Sequence, residues 1–432
     1  MGDARVMRPD RAQTRWDYID LEGLLTLDHR ARVVWRFVEG LDLSELYDEI
    51  KSREGEAGRP AADPAVLLAL WLYATVEGVG SARELDRLVE RDVAYRWIAG
   101  GVPVNYHGLA DFRVWHLAVL DRLLTESATA LIKEGLVSLE EIAVDGTKVR
   151  ASASKASFKT ETKLMRIEAA VAARLAELKA EISSDPEASS RRRRAARERA
   201  ARDIEERAAR ARKALEQIKA EKAERAKRHA KDEAKKTEPK ASLSDAEARN
   251  MKFADGAIRP GYNAQIAVAP QQGVIMSIEM TDRRNDAGLA APMIDDLVRR
   301  YGQVPERLLV DTNYATVEDI AALTDHPAGR MTIYAPPPTE RTDISPAALR
   351  NRLSKRRREP DSVKDWRNRM ASAAGQAVYR LRKLIERVNA DRKNHGFGYL
   401  PVRGLIKAKA VALMHALAHN LIAAQRLRTK CA

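Results

Sequence analysis

Four side chains in the last quarter of the sequence stand out by type and spacing: Tyr379, Arg382, Glu386 and Lys393. At about 100° per residue, their successive intervals place all four within one sector of about 60° on a helix. A phenol, a guanidinium, a carboxylate and an ammonium on one stripe can serve two ends. They can form the ladder of surface ion pairs that charged helices commonly carry. Alternatively, the carboxylate completes a metal site while the tyrosine and the two cations hold a phosphate backbone. Two further acids close apolar runs, Asp145 after Ile142-Ala143-Val144 and Asp311 after Leu308-Leu309-Val310. Either one alone serves equally well as a turn former, since Gly146 follows the first and Asn313 stands two residues past the second. If the two runs are neighbouring strands, both carboxylates meet at one sheet edge and can share hard cations. The histidines carry less. His415 and His419 are four apart on a helix but lack a third nearby ligand, so packing is the expected role, and His395 reads as a helix-end cap.

The elements that must position these groups can be read from periodicity. Residues 1–136 form a helical N-terminal domain. Asp63-Pro64 is a cap followed by proline at the first helical position. Ala65 to Ala74 is apolar nearly all round, Gly78-Val79-Gly80 breaks it, and Ser81 to Glu84 has capping-box spacing. Helix, glycine turn, helix is also the outline of a DNA-binding corner, or simply of a small bundle. Residues 137–158 hold the first strand, expected to end in a turn at Asp145-Gly146. Residues 159–245 are an inserted arm. From 159 to 240 there is no glycine and no aromatic residue, and 25 Lys and Arg stand against 16 Asp and Glu. Ile167, Val171, Leu175 and Leu178 recur at helical spacing, so the arm reads as two charged helices broken near Ser183 to Ser190, beside Arg191 to Arg194.

Residues 246–432 return to strands. Tyr262–Ala269 and Gly273–Met280 read as an antiparallel hairpin. A helix follows, capped by Asn285 or Asp286, with Leu289, Met293 and Leu297 on its apolar stripe. Arg307–Asp311 reads as a buried strand, Val317–Leu323 as a helix and Met331–Tyr334 as a last strand. Residues 339–362 read as a basic loop, Ser362 to about Asn394 as one long helix, and Val411–Arg426 as the last. This order predicts an α/β fold of the ribonuclease-H-like kind: a mixed sheet flanked by helices, with an all-helical N-terminal domain and a long charged helical insertion.

The bulk numbers narrow the partner. A net charge of +14 and a pI near 9.7 over 432 residues point to a polyanion. The lone cysteine, Cys431, allows no internal disulfide and no CxxC metal knuckle. The N-terminus has charge but no apolar leader core, and Val411–Ala424 is too short and too polar for a membrane span. A soluble, cytoplasmic protein with no membrane partner is expected.

The sequence resembles the bacterial insertion-sequence transposases of the Asp-Asp-Glu kind whose third acid lies in a Tyr-x2-Arg-x3-Glu-x6-Lys signature. Tyr379, Arg382, Glu386 and Lys393 match it in full. Asp145-Gly146-Thr147-Lys148 resembles the first-acid segment, Gly261 to Gln265 the following strand, and Asp311-Thr312-Asn313-Tyr314 the second-acid segment. Gly396-Phe397, Arg403-Gly404 and Leu417 to Leu421 resemble the tail, and Pro64 to Arg113 the helical N-terminal domain of many relatives. The likeness omits the arm, which only some branches carry, and Asn313 stands where many relatives have glycine. The resemblance implies Asp145, Asp311 and Glu386 as catalytic metal ligands, with Tyr379, Arg382 and Lys393 as DNA-phosphate contacts. It also implies two Mg²⁺ or Mn²⁺ ions, and double-stranded DNA as partner, both the element's terminal inverted repeats and the target. A homodimer working on the bacterial nucleoid follows from the need to cut two ends. A nuclease that cuts without joining, a catalytically inactive DNA-binding descendant, and a coiled-coil scaffold resting on the arm alone are the rival readings.

Overall fold

The computed structural model describes residues 20–431 except 54–59, 185–187, 229–237, 315 and 339–344. The N-terminal segment read for a leader, the tip of the arm and the start of the basic loop therefore lie outside the described residues, as do the side chains of Arg191, Arg192 and Arg194.

The N-terminal region is helical throughout: α1 (Arg30–Glu39), α2 (Ser44–Asp48), α3 (Pro64–Val76), α4 (Ala82–Arg91), α5 (Val93–Ala99), α6 (Tyr106–Trp115) and α7 (Leu117–Lys133). Asp63 caps α3 by accepting from the Ala65 N–H at 2.8 Å, and Ser81 caps α4. Because α3 is apolar on every side, it is buried on every side: Leu68, Leu70, Trp71 and Leu72 are at most 1% exposed. Trp71 donates its indole N–H to Leu109 O at 2.8 Å, and the Arg113 guanidinium lies 4.4 Å from its ring.

The sheet that follows contains β1 (Glu141–Arg150), β4 (Arg249–Lys252), β5 (Ile258–Ala269), β6 (Val274–Thr281), β7 (Arg307–Leu309) and β10 (Thr332–Tyr334); β2 (Phe158–Lys159) pairs with β3 (Ala241–Ser242), and β8 (Asp325–His326) with β9 (Gly329–Arg330). The strand order is β10-β7-β1-β5-β4, with β6 also on β5. β10, β7 and β1 are parallel to one another, whereas β5 runs antiparallel to β1, β4 and β6. A mixed sheet of this order with helices on its faces is a ribonuclease-H-like fold, as the element order predicts. The β5–β6 hairpin turns through Gly273, whose φ of +71° requires a glycine.

The helices of the second half are α10 (Ala290–Tyr301), α11 (Val317–Thr324), α12 (Pro346–Arg357), α13 (Asp361–Ala371), α14 (Ala373–Tyr379), α15 (Lys383–Arg392) and α16 (Leu405–Cys431). α16 packs on β6, α3, α6 and α7, so the N-terminal helices and the sheet share one continuous core. It is longer than the Val411–Arg426 helix read from the sequence, and by length and composition it could cross a membrane. Its apolar window is 67% buried, which fits a core helix.

The arm consists of α8 (Glu161–Ser184) and α9 (Ala188–Arg228) packed against each other. Lys219 pairs with Glu161 at 2.7 Å and Arg212 with Glu168 at 3.2 Å, so the helices run antiparallel, as a hairpin must. Small apolar clusters of its own, such as Leu164 with Leu215 and Val171 with Leu178, hold it together.

Five expectations need correction. β1 does not end at Asp145 but runs five residues further, because the β5 partner continues opposite it to Gly261. The basic loop of 339–362 contains α12, started by Ser345, whose hydroxyl accepts from the Ala348 N–H. The long helix from Ser362 is interrupted at Ser372, which is extended (φ −81°, ψ 149°) and caps α14 through Gly375 N–H. Neither Asn285 nor Asp286 caps α10; its N-cap is Leu289, without a side-chain bond. Finally, Asn313 needs no left-handed backbone: it lies in a 3-10 turn (Thr312–Tyr314), and no described non-glycine residue has positive φ.

Candidate active site

The register of β1 against β7 positions the first two acids. Ala143 pairs with Leu309 in a parallel ladder, so Asp145 and Asp311, each two residues further on, stand at the same level of adjacent strands. β1 and β7 are central strands of the sheet, so both acids lie toward its middle rather than at a lateral edge, with Asp311 just past the end of β7. Beyond β7 the chain leaves the ladder. Asp311 Oδ1 accepts the Thr312 N–H at 2.6 Å, and its Oδ2 lies 3.4 Å from Asn313 Nδ2.

The third acid arrives on the helix. α14, a 3-10 turn (Arg380–Arg382) and α15 follow one another with right-handed helical dihedrals at Tyr379, Arg382 and Lys383, so the stripe survives with one tightened turn. α15 packs on β1. Arg382 donates through Nη2 to Asp145 Oδ1 at 3.0 Å and through Nη1 to Glu386 Oε1 at 3.4 Å. Asn389 Nδ2 donates to Asp145 Oδ2 at 2.9 Å. One guanidinium thus bridges the first and third acids. Glu386 is 61% exposed, whereas Asp145 is only 17% exposed.

Charge is unbalanced here. Burial raises the Asp145 carboxyl above its usual range, and Asp286 and Asp311 add to this against the opposing pull of Arg382. Burial works against the Arg382 charge, but Asp145, Tyr379, Asp311 and Glu386 outweigh it and hold the guanidinium protonated. Burial lowers Lys393, with Asp145 as its counterweight, and burial raises the Tyr379 phenol.

On a second side of β1 lies an acid that sequence reasoning had taken for a cap. Asp286 Oδ1 accepts from Asn263 Nδ2 at 2.7 Å and Gln265 Nε2 at 3.0 Å, and pairs with Lys148 Nζ at 3.6 Å. The Tyr314 hydroxyl donates to Gln265, tying this network to the turn after Asp311. A Cβ at Gly146 would come within 2.3 Å of Asp286 Oδ1, so glycine is required there for close approach rather than for a turn. Asp286 comes from a loop, and no spacing rule reveals it. Asn389 was legible, since it lies only about 20° off the stripe at helical spacing. His415 and His419 pack. His415 is buried against Phe397, with burial pushing it down to about 3, and His419 bonds Asp391 and Gly273 O.

The donors around Asp145, Asp311 and Glu386 are oxygens, which suits a hard divalent cation, and the bridging guanidinium shows that the space between Asp145 and Glu386 takes positive charge. Among the described residues, no three acid, histidine or cysteine side chains stand close enough to hold a metal as they are.

Two segments of the chain match known families. Residues 232–421, which contain the sheet from β4 onward and the Tyr379–Lys393 stripe, match the family described as Transposase DDE domain. Residues 19–114, the N-terminal helices, match the family described as Transposase domain (DUF772). No curated protein and no solved structure matches. The chain is therefore an enzyme of the polynucleotidyl-transferase class that the DDE domain defines. It belongs to the DDE transposases of insertion sequences that carry this additional N-terminal transposase domain. Enzymes with this domain act on DNA and generally use divalent metal.

Proposed function

We propose that this transposase cuts DNA at the terminal inverted repeats of its own element and joins the freed ends to target DNA, with Asp145, Asp311 and Glu386 as its catalytic acids. The observation that carries this reading is the shared level of Asp145 and Asp311, with Arg382 bridging Asp145 to Glu386. Two Mg²⁺ or Mn²⁺ ions would be held by the three carboxylates. When bound, such ions clamp the attacking and leaving oxygens of an in-line phosphoryl displacement.

The chain's own side chains then have distinct tasks. Asp145 would be a metal ligand, and the Arg382 guanidinium, whose planar fork suits phosphate, would hold the DNA backbone beside it. Lys393 and Tyr379, on the same stripe, bind phosphates or an unpaired base beside the scissile bond. Asn389 keeps one Asp145 oxygen oriented. No protein nucleophile is needed, because water attacks first and the freed 3′-hydroxyl second. On this reading the protein falls in the group with the Tyr-Arg-Glu-Lys signature. The reading also supports division into a helical N-terminal domain (1–136), a catalytic domain split between 137–158 and 246–432, and a basic insertion (159–245). A homodimer in the bacterial cytoplasm, gathered on the nucleoid, suits an enzyme that must cut two ends.

Joining is tested with pre-cut end duplex, supercoiled target plasmid and Mg²⁺. Covalent end–target products are expected, and they should vanish with Asp311→Asn. Nicked ends without joined products would leave a nuclease. Duplex binding without any cutting would leave a DNA-binding descendant.

A further inference from the structure

Five residues beyond Asp145 on β1, a cavity of about 610 Å³ opens where the helical arm leaves the sheet. Its lining includes Arg150, Ser152, Ser154, Ser244, Tyr399 and Arg403. The backbone fixes these groups. Arg150 N–H donates to Gly398 O at 3.0 Å and Leu400 N–H to Arg150 O at 2.9 Å, so a single parallel bridge holds Tyr399 beside the end of β1. The Arg150 guanidinium stands 5.7 Å from the Tyr399 ring. Arg403 Nε donates to Ser152 O at 3.2 Å, which anchors a second guanidinium on the same wall. No carboxylate lines the cavity, and neither arginine makes an ion pair among the described residues. Both arginines are exposed, so their guanidiniums are open to a ligand arriving from solvent. Tyr399 likewise remains 46% exposed, a large ring held open beside a cation.

We propose that this cavity is a DNA subsite, in which Arg150 and Arg403 hold backbone phosphate and Tyr399 packs on a sugar or base. Guanidiniums bind phosphate in paired hydrogen bonds, serine hydroxyls add donors, and an aromatic ring beside an arginine accepts a base face. The inference rests on the reading that DNA is cut at Asp145, and it adds a position. Five residues of β-strand span about 17 Å, which is about five base-pair rises at roughly 3.4 Å each. A duplex laid along β1 would place the phosphate held here about five nucleotides from the cut. Element-end DNA and target DNA share this chemistry, so both are tested.

The full-length protein is titrated with labelled end duplex and with an unrelated duplex, in EDTA, over a salt series. R150A/R403A should bind about tenfold more weakly and lose about one to two units of the slope of log affinity against log salt. Y399A should weaken binding with the slope unchanged. An effect on the end duplex alone assigns the subsite to the element end; an effect on both extends it to target DNA. A photo-crosslinker in place of Tyr399 gives a second measurement independent of variant folding, and it should mark a nucleotide about five from the cut. Unchanged affinity and slope in a folded double variant, or a crosslink far from that position, would overturn the proposal. Binding is read without metal. Loss of cutting with the slope change intact would therefore fault the three acids, not this subsite.

Discussion

At Gly146 the demands of the site meet in one atom. A methyl group there would press on Asp286 Oδ1 and also on Gln265 Nε2 at 2.7 Å. Both are side-chain ends, but they are tied to each other, to Asn263 and to Lys148, so they cannot swing aside without losing those bonds. Gly146→Ala should therefore cost about 1–3 kcal/mol of stability. It should also slow cleavage while leaving duplex affinity within about twofold; melting curves and single-turnover cleavage check the two parts. An unchanged melting curve would mean that Asp286 is freer than its partners imply. Lys148, lowered by burial against the pull of Asp286, belongs to the same network. The residues that touch the acids thus outnumber those the signature names.

At the level of elements, one buried side chain of α16 completes the hydrogen bonding of the sheet. Asn420, only 2% exposed, accepts the Ile275 N–H at 2.8 Å and donates to Ile275 O at 2.7 Å, completing the outer edge of β6. Asn420→Ala leaves both backbone groups unpaired in the core and should cost about 2–4 kcal/mol. Chemical denaturation would show the midpoint falling with little change in slope, and a loss below about 0.5 kcal/mol would refute the staple. Much of this level was legible in the sequence. The caps at Asp63 and Ser81, the antiparallel hairpin at Gly273, and the apolar faces of α3 and α10 follow from local chemistry, and the stripe from Tyr379 to Lys393 is simple helical geometry. What stayed hidden depends on partners distant in sequence. β1 continues past Asp145 only because β5 lies opposite it. Ser372 breaks a pattern that reads as unbroken helix. Asp286 was taken for a cap because no local rule shows that Gly146 leaves it room.

At the scale of the molecule, the helical N-terminal region and the sheet are welded through α16, whereas the arm stands apart with clusters of its own. Replacing residues 161–240 by a short Gly/Ser linker between Thr160 and Ala241 should lower Tm by only a few degrees, equivalent to about 1–2 kcal/mol. Collapse of the fold in calorimetry would mean that the arm is part of the main core. Residues 161–240 also carry eight of the fourteen net positive charges, so their removal tests separately whether that charge serves DNA. The central claim is narrower: three acids from β1, the end of β7 and α15 act as one metal site. The most direct measurement is cleavage of a labelled duplex bearing the element's own terminal repeat, with Mg²⁺ and with EDTA, comparing wild type with Asp145→Asn, Asp311→Asn and Glu386→Gln. The account predicts Mg²⁺-dependent nicking that falls about a thousandfold or more in each variant, equivalent to about 4 kcal/mol of barrier, while duplex binding in EDTA persists. Cleavage retained in any of the three variants would contradict it.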